Sequence, residues 1–310
     1  MHNQKELIIL KISGASLKGD KDIINIEFLN EIARQIKELS LFYKVAVVLG
    51  GGNIWRGAIA NQIGMQRYKA DQMGMLATVM NSLALQSALT NIDVNSKIFS
   101  TIEMEKIVDS YIIRNLEFAL ENNYVAILSC GTGRPYFTTD TGIAVSAAEL
   151  GATYIMMGKN SVDGVYDSDP NVNKNAKFFE HLTYTKAIED QLEVMDVTAA
   201  SILKQCNVKT IVFKINEYNA IINTLNKKSK FTLVSEHPDD LNTLKFSFND
   251  YEKNKKSSGD NSTSKNLNFN DKNLLEFYLS ELNKLNENVI NKNEKKLKEI
   301  KEIFNIEKSK

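Results

Sequence analysis

Val45-Ala46-Val47-Val48-Leu49-Gly50-Gly51-Gly52 is an apolar run closed by three glycines. Its length and valine content favour a strand that is buried on both faces. Such strands form parallel sheets that helices cover on both sides, and ligands bind beyond their carboxyl ends. This stretch therefore predicts an α/β fold whose functional loops follow the strands.

The same alternation of strand and helix patterns continues through the first 235 residues. The predicted strands are 7–12, 45–49, 97–100, 125–129, 154–157, 210–213 and 231–234. Helical periods occur near residues 26–40, 70–90, 113–122, 140–150, 193–206 and 217–227. This order predicts a three-layer α/β/α sandwich with a mostly parallel central sheet.

Charge and composition exclude several classes of protein. Basic and acidic residues each number 38, and the resulting net charge of zero argues against a nucleic-acid partner. Cys130 and Cys206 lie in apolar runs, which favours a reducing compartment over a disulfide framework. Residues 1–6 lack the apolar core of a signal peptide, and no apolar run is long enough to span a membrane. We expect a soluble, cytoplasmic protein with no membrane partner.

The composition changes near Ser235, where we place a domain boundary between residues 1–235 and 236–310. All three prolines and all but one of the fifteen glycines lie at or before residue 238, whereas the later residues are rich in lysine and asparagine. Residues 239–271 predict a polar linker, and the apolar spacing from Leu274 onward predicts an amphipathic helix. Two interpretations of this helical or disordered extension stay open. In the first, the lysine and asparagine bias reflects only an AT-rich coding sequence. In the second, the helix of the extension pairs with another tail or with a partner protein.

Two glycine-containing loops that follow predicted strands carry cations. In Lys11-Ile12-Ser13-Gly14 an ammonium and a loop N–H group share one rim, where an anion could be held, although an ordinary polar turn gives the same pattern. In Gly50-Gly51-Gly52-Asn53-Ile54-Trp55-Arg56-Gly57 the glycines let backbone N–H groups approach a phosphate, and Arg56 supplies a forked donor. The plain alternative is a tight turn with Arg56 in a surface ion pair. The run matches neither the Walker nor the dinucleotide-binding glycine pattern.

A third loop, residues 129–140, contains two glycines, several hydroxyls and the aromatic pair Tyr136 and Phe137. Its polar groups suit a second phosphate or a base edge, and either ring could stack on a base. Thr139 or Asp140 is expected to cap the following helix, and in the plain interpretation Phe137 belongs to the core. Both interpretations can hold together.

The loops together indicate a reaction type. They offer cations, glycine backbones and carboxylates, including Asp196 at the start of a helix, and this set suits phosphoryl transfer between two anionic substrates. The acidic segment 159–170 is explained more simply by side-chain turns and caps. No histidine lies in these loops. A phosphate acceptor needs no general base, because its second pKa of about 6 leaves it ionised at neutral pH.

These motifs resemble those of bacterial UMP kinases of the amino-acid-kinase superfamily. The resemblance rests on Lys11-Ile12-Ser13-Gly14, Gly50-Gly51-Gly52-Asn53 with Arg56-Gly57, residues 70–81, Gly131-Thr132-Gly133 through Asp140, and Val162-Asp163-Gly164-Val165-Tyr166 with Asp169-Pro170. It covers residues 5–235. The block 71–81 points to the uridylate branch rather than to kinases of aspartate, glutamate, acetylglutamate or carbamate.

The resemblance implies transfer of the ATP γ-phosphoryl group to UMP, giving UDP and ADP in pyrimidine nucleotide biosynthesis, with Mg²⁺ bound to ATP and no metal ligand assigned to the protein. The implied catalytic residues are Lys11, Arg56, Asp140 and Asp196, of which Asp196 would orient Lys11. The implied ATP-binding residues are Lys11, Ile12, Ser13, Gly14, Gly52, Arg56, Asn160, Tyr166 and Asp169. The implied UMP-binding residues are Gly51, Asp71, Thr132, Gly133, Arg134, Pro135, Tyr136, Phe137, Thr138 and Thr139.

Similar enzymes are homohexamers that GTP activates and UTP inhibits, and the resemblance implies the same here.

Three features depart from the family pattern. Arg134 stands where asparagine is usual and adds a positive charge beside the UMP phosphate or the trimer contacts; Ala15-Ser16 replaces Glu-Ala; and the extension follows residue 235. The block 73–89 also fits a core or interface helix.

Two other functions remain open at this point. One is a kinase of the same superfamily that acts on a carboxylate or carbamate. The other is a nucleotide-binding storage or regulatory protein, which would bind ATP without turnover. The intact set Lys11, Arg56, Asp140 and Asp196 favours an enzyme.

Overall fold

The computed structural model describes residues 5–19 and 22–244. Its strands are β1 (Leu7–Ile12), β2 (Lys44–Leu49), β3 (Ser96–Ser100), β4 (Asp109–Ser110), β5 (Val125–Ser129), β6 (Tyr154–Lys159), β7 (Val165–Tyr166), β8 (Phe178–Phe179), β9 (His181–Leu182), β10 (Lys209–Lys214) and β11 (Phe231–Val234). Its helices are α1 (Gly14–Leu17), α2 (Ile26–Ser40), α3 (Gly57–Gln62), α4 (Arg67–Thr90), α5 (Ile113–Glu121), α6 (Thr139–Leu150), α7 (Tyr184–Glu189), α8 (Val197–Gln205), α9 (Ala220–Leu225) and α10 (Asp240–Thr243).

Nine strands form the central sheet in the order β4-β3-β5-β2-β1-β6-β10-β11-β9. Every neighbouring pair is parallel except β10 and β11, which are antiparallel. All seven strands predicted from the sequence belong to this sheet. A mostly parallel sheet brings the carboxyl ends of β1, β2, β5 and β6 to one edge, which is the edge where the glycine-containing loops begin.

Helices cover both faces of the sheet, which confirms the predicted three layers. Alternate residues of a strand point to opposite faces. Ile8 and Leu10 accordingly pack in a buried cluster with residues of α2, α4 and α9. Leu7 and Ile9 pack in a second buried cluster with residues of α5, α6, α7 and α8. The continuous apolar strands reflect this burial on both sides.

The predicted linker starts inside the packed part of the chain. Glu236 accepts hydrogen bonds from the backbone N–H and the hydroxyl of Thr185. Asp240 lies 2.7 Å from the ammonium of Lys209, and Leu244 is buried in the core. Residues 236–244 therefore pack on the domain, whereas the predicted helix from Leu274 lies outside the described residues. The domain boundary near 235 stays a prediction.

Within the described ranges, no helix combines the length and the apolar character that crossing a membrane requires.

Candidate functional site

The loops after β1 and β2 lie against each other, and glycine makes that contact possible. A Cβ on Gly14 would lie 2.4 Å from the backbone nitrogen of Gly52 and 2.8 Å from the carbonyl oxygen of Gly50. A Cβ on Gly52 would meet no described atom within 4 Å. Gly14 is therefore required by packing, whereas at Gly52 the missing side chain leaves open space beside the backbone. That space is where the sequence predicts a phosphate.

Lys11, near the end of β1, pairs with a carboxylate of α6. Its ammonium lies 2.6 Å from Oδ1 of Asp140, and both side chains are mostly shielded from solvent. Asp140 lies in the first turn of α6 but is not its cap. The cap is Thr138, whose hydroxyl accepts from the backbone N–H of Thr141. The expectation that Thr139 or Asp140 caps this helix is thus wrong, since Thr138 fills the position and leaves Asp140 free to bind the lysine.

Asp196 caps α8, as expected, and joins it to α6. Its carboxylate accepts hydrogen bonds from the hydroxyls of Thr138 and Thr141 and, at 2.9 Å, from the backbone N–H of Ala199. Burial raises the pKa of Asp196, but the hydrogen bonds outweigh that effect and hold the pKa below its usual range. Among the described ion pairs, the partner of Lys11 is Asp140. Asp196 therefore acts on the start of α6, and any effect on Lys11 passes through that helix.

Asp71, in the second turn of α4, holds the loop after β5. Its Oδ2 accepts a hydrogen bond of 2.8 Å from the backbone N–H of Tyr136. Tyr136 has a φ of 73°, an uncommon conformation for a residue with a side chain. Arg67 stacks 5.1 Å from the Tyr136 ring centre, and its Nε lies 3.7 Å from Asp71. These contacts bring together Asp71 and the loop that the sequence predicts to bind UMP.

The aromatic residues of this loop point away from the core. Tyr136 is 63% exposed and Phe137 is 49% exposed. The plain interpretation of Phe137 as a core residue is therefore wrong, and both rings are available to a ligand. Thr132 accepts from the backbone N–H of Arg134, whose side chain is exposed. Gly133, Pro135 and Thr139 lie in or directly after the same loop.

Arg56 folds back on the triple-glycine loop. Its Nε donates to the carbonyl oxygen of Gly52 at 2.9 Å, and the residue is exposed. This contact anchors the guanidinium at the loop. The alternative of a surface ion pair for Arg56 is not found among the described residues.

Two residues of α4 support the loops, although the sequence predicts no role for either of them. The side chain of Asn81 donates to the carbonyl oxygen of Gly50 at 2.7 Å and exchanges hydrogen bonds with Asn53. The hydroxyl of Thr78 accepts from the backbone N–H of Cys130 at 2.9 Å. Both are buried polar residues within an apolar block. Their polarity and their place in the motif block 70–81 were available from the sequence, but neither reveals a partner far along the chain.

The three residues predicted to hold the adenine nucleotide after β6 lie in different local settings. Asn160 accepts hydrogen bonds from Asn216 and Ser16, which places it beside the loop after β1. Tyr166 belongs to the small β7–β8 sheet, where its hydroxyl donates to Asp163 at 2.7 Å. Asp169 accepts from the backbone N–H of Asn171, as the simpler turn explanation predicts.

The Tyr166 ring lies in a cluster that includes Lys230. The ring packs edge-on against Phe178, with 5.3 Å between the ring centres. The ammonium of Lys230 lies 3.9 Å from the Phe178 ring centre and donates to the Tyr166 hydroxyl at 3.0 Å. This cation fixes the orientation of the tyrosine ring. Lys230 lies in a polar turn without glycine, so the sequence did not indicate its contact with this cluster.

The arrangement suits the handling of two anionic ligands at one edge of the sheet. Lys11 and Arg56 supply positive charge, and the glycine loop gives backbone access beside them. In the part of the chain that the structure describes, no cluster of three histidine, cysteine or acidic residues could hold a metal ion. A cavity of about 510 Å³ adjoins the site between α7 and the start of α8, with Val194 and Asp196 in its lining.

Residues 6–214 match the family described as the amino acid kinase family. The uridylate kinase of Malacoplasma penetrans (strain HF-2) is 68% identical over 311 aligned positions, which cover 97% of this chain and 98% of the relative. That match extends into the segment after residue 235. The crystal structure of UMP kinase from Ureaplasma parvum is similar with a TM-score of 0.73 at 48% identity and covers 75% of this chain and 100% of that one. The UMP kinase structure from Bacillus anthracis is similar with a TM-score of 0.71 at 31% identity, over 75% of this chain and 96% of that one.

Proposed function

The chain belongs to the amino acid kinase family, and on that premise we propose that it is a uridylate kinase, which transfers the γ-phosphoryl group of ATP to UMP. The observation that carries the proposal is the 2.6 Å pair of Lys11 and Asp140 at the sheet edge, beside the open space at Gly52. The relatives named uridylate kinase support the choice of acceptor.

The reaction needs positioning and charge neutralisation rather than a base. An oxygen of the UMP phosphate attacks the γ-phosphorus, the bond from that phosphorus to the β-γ bridging oxygen breaks, and ADP leaves with that oxygen. The attacking oxygen is already ionised at neutral pH. Lys11 and Arg56 stabilise the charge on the transferring group, and Asp140 holds the Lys11 ammonium in place.

The UMP site is formed by the loop after β5 and its anchor on α4. Asp71 and the exposed rings of Tyr136 and Phe137 meet there. Ribose hydroxyls are hydrogen-bond donors that a carboxylate accepts, and an exposed ring can stack on a pyrimidine. Gly51 and the hydroxyls of residues 132–139 complete the set, and Arg134 adds a cation near the UMP phosphate.

The ATP site combines the loops after β1, β2 and β6. Lys11, Ile12, Ser13, Gly14, Gly52 and Arg56 would hold the phosphates, and Asn160, Tyr166 and Asp169 would hold the nucleoside. Mg²⁺ binds phosphate oxygens and keeps several waters, so it needs few protein ligands. The carboxylates of Asp140 and Asp196 lie at the same end of α6 but are already paired within the protein, and neither is assigned as a metal ligand. When bound, Mg²⁺ neutralises charge on the β- and γ-phosphates.

Assembly into a homohexamer is part of the proposal. Met73, Leu76, Met80 and Leu83 form an exposed apolar stripe on α4, 39–55% exposed, at spacings of three and four residues that share a helix face. A stripe of this kind favours contact with another copy of the chain. GTP activation, UTP inhibition, a cytoplasmic location and a role in pyrimidine nucleotide biosynthesis belong to the same proposal.

The experiment measures ADP release with Mg²⁺-ATP and a panel of UMP, CMP, dUMP, aspartate, glutamate and carbamate. Turnover that is highest with UMP is expected. Turnover with an amino acid or carbamate, and none with UMP, would instead support a different kinase of the family. ATP binding without turnover on any acceptor would support a storage or regulatory protein.

A further inference from the structure

Lys159 is a partly buried cation at the same sheet edge, and the site described above gives it no role. It is the last residue of β6, next to β1. In the β1–β6 register Lys11 is opposite Met157, and residues two apart on a strand share a face. Lys159 therefore lies on the same face of the sheet as Lys11, on the neighbouring strand and two residues nearer the loops.

The Lys159 ammonium has hydrogen-bonding capacity left for a ligand. Its ammonium donates to the carbonyl oxygen of Val194 at 2.7 Å, and no ion pair joins it to an acidic residue in the described ranges. An ammonium can donate three hydrogen bonds. The residue keeps part of its surface exposed, so an anion at the strand edge can reach it. Partial burial of an ammonium without a directly paired carboxylate costs free energy, and an anion bound at this edge would offset that cost.

We propose that Lys159 binds the phosphates of the nucleoside triphosphate together with Lys11. The identity of this ligand rests on the proposed function. The Lys11 ammonium is already paired with Asp140, and the four negative charges of ATP exceed what that pair and one bound divalent cation can balance. Lys159 supplies the additional charge, and its bond to Val194 fixes it close to the segment that leads into Asp196.

The charged groups around Lys159 set its protonation. Burial, followed by the nearby Lys11 ammonium, lowers the pKa of Lys159 to about 8, while Asp140 on α6 and Glu193 before α8 act in the opposite direction. On β10, the register neighbour Lys214 pairs with Glu217 at 3.4 Å. Lys159 thus loses charge over a pH range in which ATP phosphates, whose last pKa is about 6, no longer titrate.

The test compares ATP and adenosine binding by calorimetry in the full-length chain and two variants. Lys159→Met keeps the length of the side chain and removes the charge. It is expected to weaken ATP binding roughly ten- to a hundredfold, the value of a hydrogen bond from a charged group, and to leave adenosine binding nearly unchanged. Lys159→Arg should keep most of the ATP affinity. Lys97→Met, an exposed strand lysine on β3, is the matched control and should bind both ligands normally.

Two results would overturn the proposal: unchanged ATP affinity in Lys159→Met, or an equal loss for ATP and adenosine, which would indicate a structural tether to Val194. If the methionine variant does not fold, the pH profile decides. ATP affinity of the natural chain should fall as the pH rises from about 7 to 9, and in Lys159→Arg it should stay level. Identical profiles would refute the role. Binding is measured without UMP, so a failure to phosphorylate UMP would contradict the proposed function and leave this test intact.

Discussion

The Lys11 ammonium, at the end of the central strand, lies 2.6 Å from the Asp140 carboxylate on α6. The pair joins the loop after β1 to the helix that follows the loop after β5. It thereby connects the elements expected to hold the two substrates.

Removing the charge of Lys11 is expected to act on the chemical step. Lys11→Met should lower kcat by about 10²–10³-fold, the usual effect of losing one preorganised donor to the transition state, and leave UMP affinity nearly unchanged. Asp140→Asn should have a smaller effect, and the double variant should lose less than the sum because the two residues act as a pair. Steady-state kinetics and UMP calorimetry measure these effects. The control is Lys44→Met at the opposite end of β2, and an unchanged kcat in Lys11→Met would contradict the assignment.

Substitution of Gly14 should impair stability, whereas substitution of Gly52 should impair activity. Gly14→Ala places a methyl group 2.4 Å from the Gly52 nitrogen and should destabilise the fold by about 1–3 kcal/mol. Gly52→Ala has open space around its Cβ, so the free energy of unfolding should change by less than about 0.5 kcal/mol while kcat/KM for ATP falls. Urea unfolding and kinetics measure the two effects. Gly57→Ala, also free of contacts, should change neither, and normal activity in Gly52→Ala would argue against a phosphate there.

Asp71 should control UMP binding but not ATP binding. Asp71→Ala removes the acceptor for the Tyr136 backbone and the expected partner of the ribose hydroxyls. The Kd for UMP should rise roughly ten- to a hundredfold, while the Kd for ATP stays the same. Arg67→Ala removes the stacking on Tyr136 and the 3.7 Å ion pair with Asp71 but keeps the carboxylate, so it should raise the Kd for UMP less. Equal losses for UMP and ATP would show that the effect is on folding.

The contribution of Asp196 to the free energy of unfolding should be lost at acidic pH. Its pKa is lower in the folded state than in the unfolded chain, so the folded state binds fewer protons and stability falls as the pH decreases through that range. The stability difference between the natural chain and Asp196→Asn should be constant near neutral pH and shrink below about pH 4. Urea unfolding from pH 6 downward measures it. Asp190→Asn, at an exposed ion pair on α7, is the control, and a pH-independent difference for Asp196→Asn would be inconsistent with its hydrogen bonding.

The apolar stripe on α4 should be required for assembly. Leu76→Lys combined with Met80→Lys places two charges on it and should reduce the molar mass measured by light scattering. Val172→Lys changes an apolar residue that is 83% exposed and lies outside α4, and should leave the molar mass unchanged. An unaltered mass in the α4 variant would place the interface elsewhere.

The sequence predicted the long elements well because their patterns are local. All seven predicted strands are present, and so are the six predicted helices, with ends shifted by a few residues. The elements it missed are short. β4, β7, β8 and β9 have two residues each, too few for a period to appear. They form only because a neighbouring strand supplies their hydrogen bonds.

The sequence alone determined the α/β class, the edge of the sheet that carries the site, and the loops that form it. Apolar runs and glycines act on their immediate neighbours in the chain, so a linear pattern records them. The tertiary structure decided which side chains meet: Asp140 rather than Asp196 binds Lys11, Thr138 caps α6, and Lys159 lies on the Lys11 face of the sheet. These contacts join residues far apart in the chain. Their formation depends on strand order and register, which arise from packing of the whole sheet and not from any one segment.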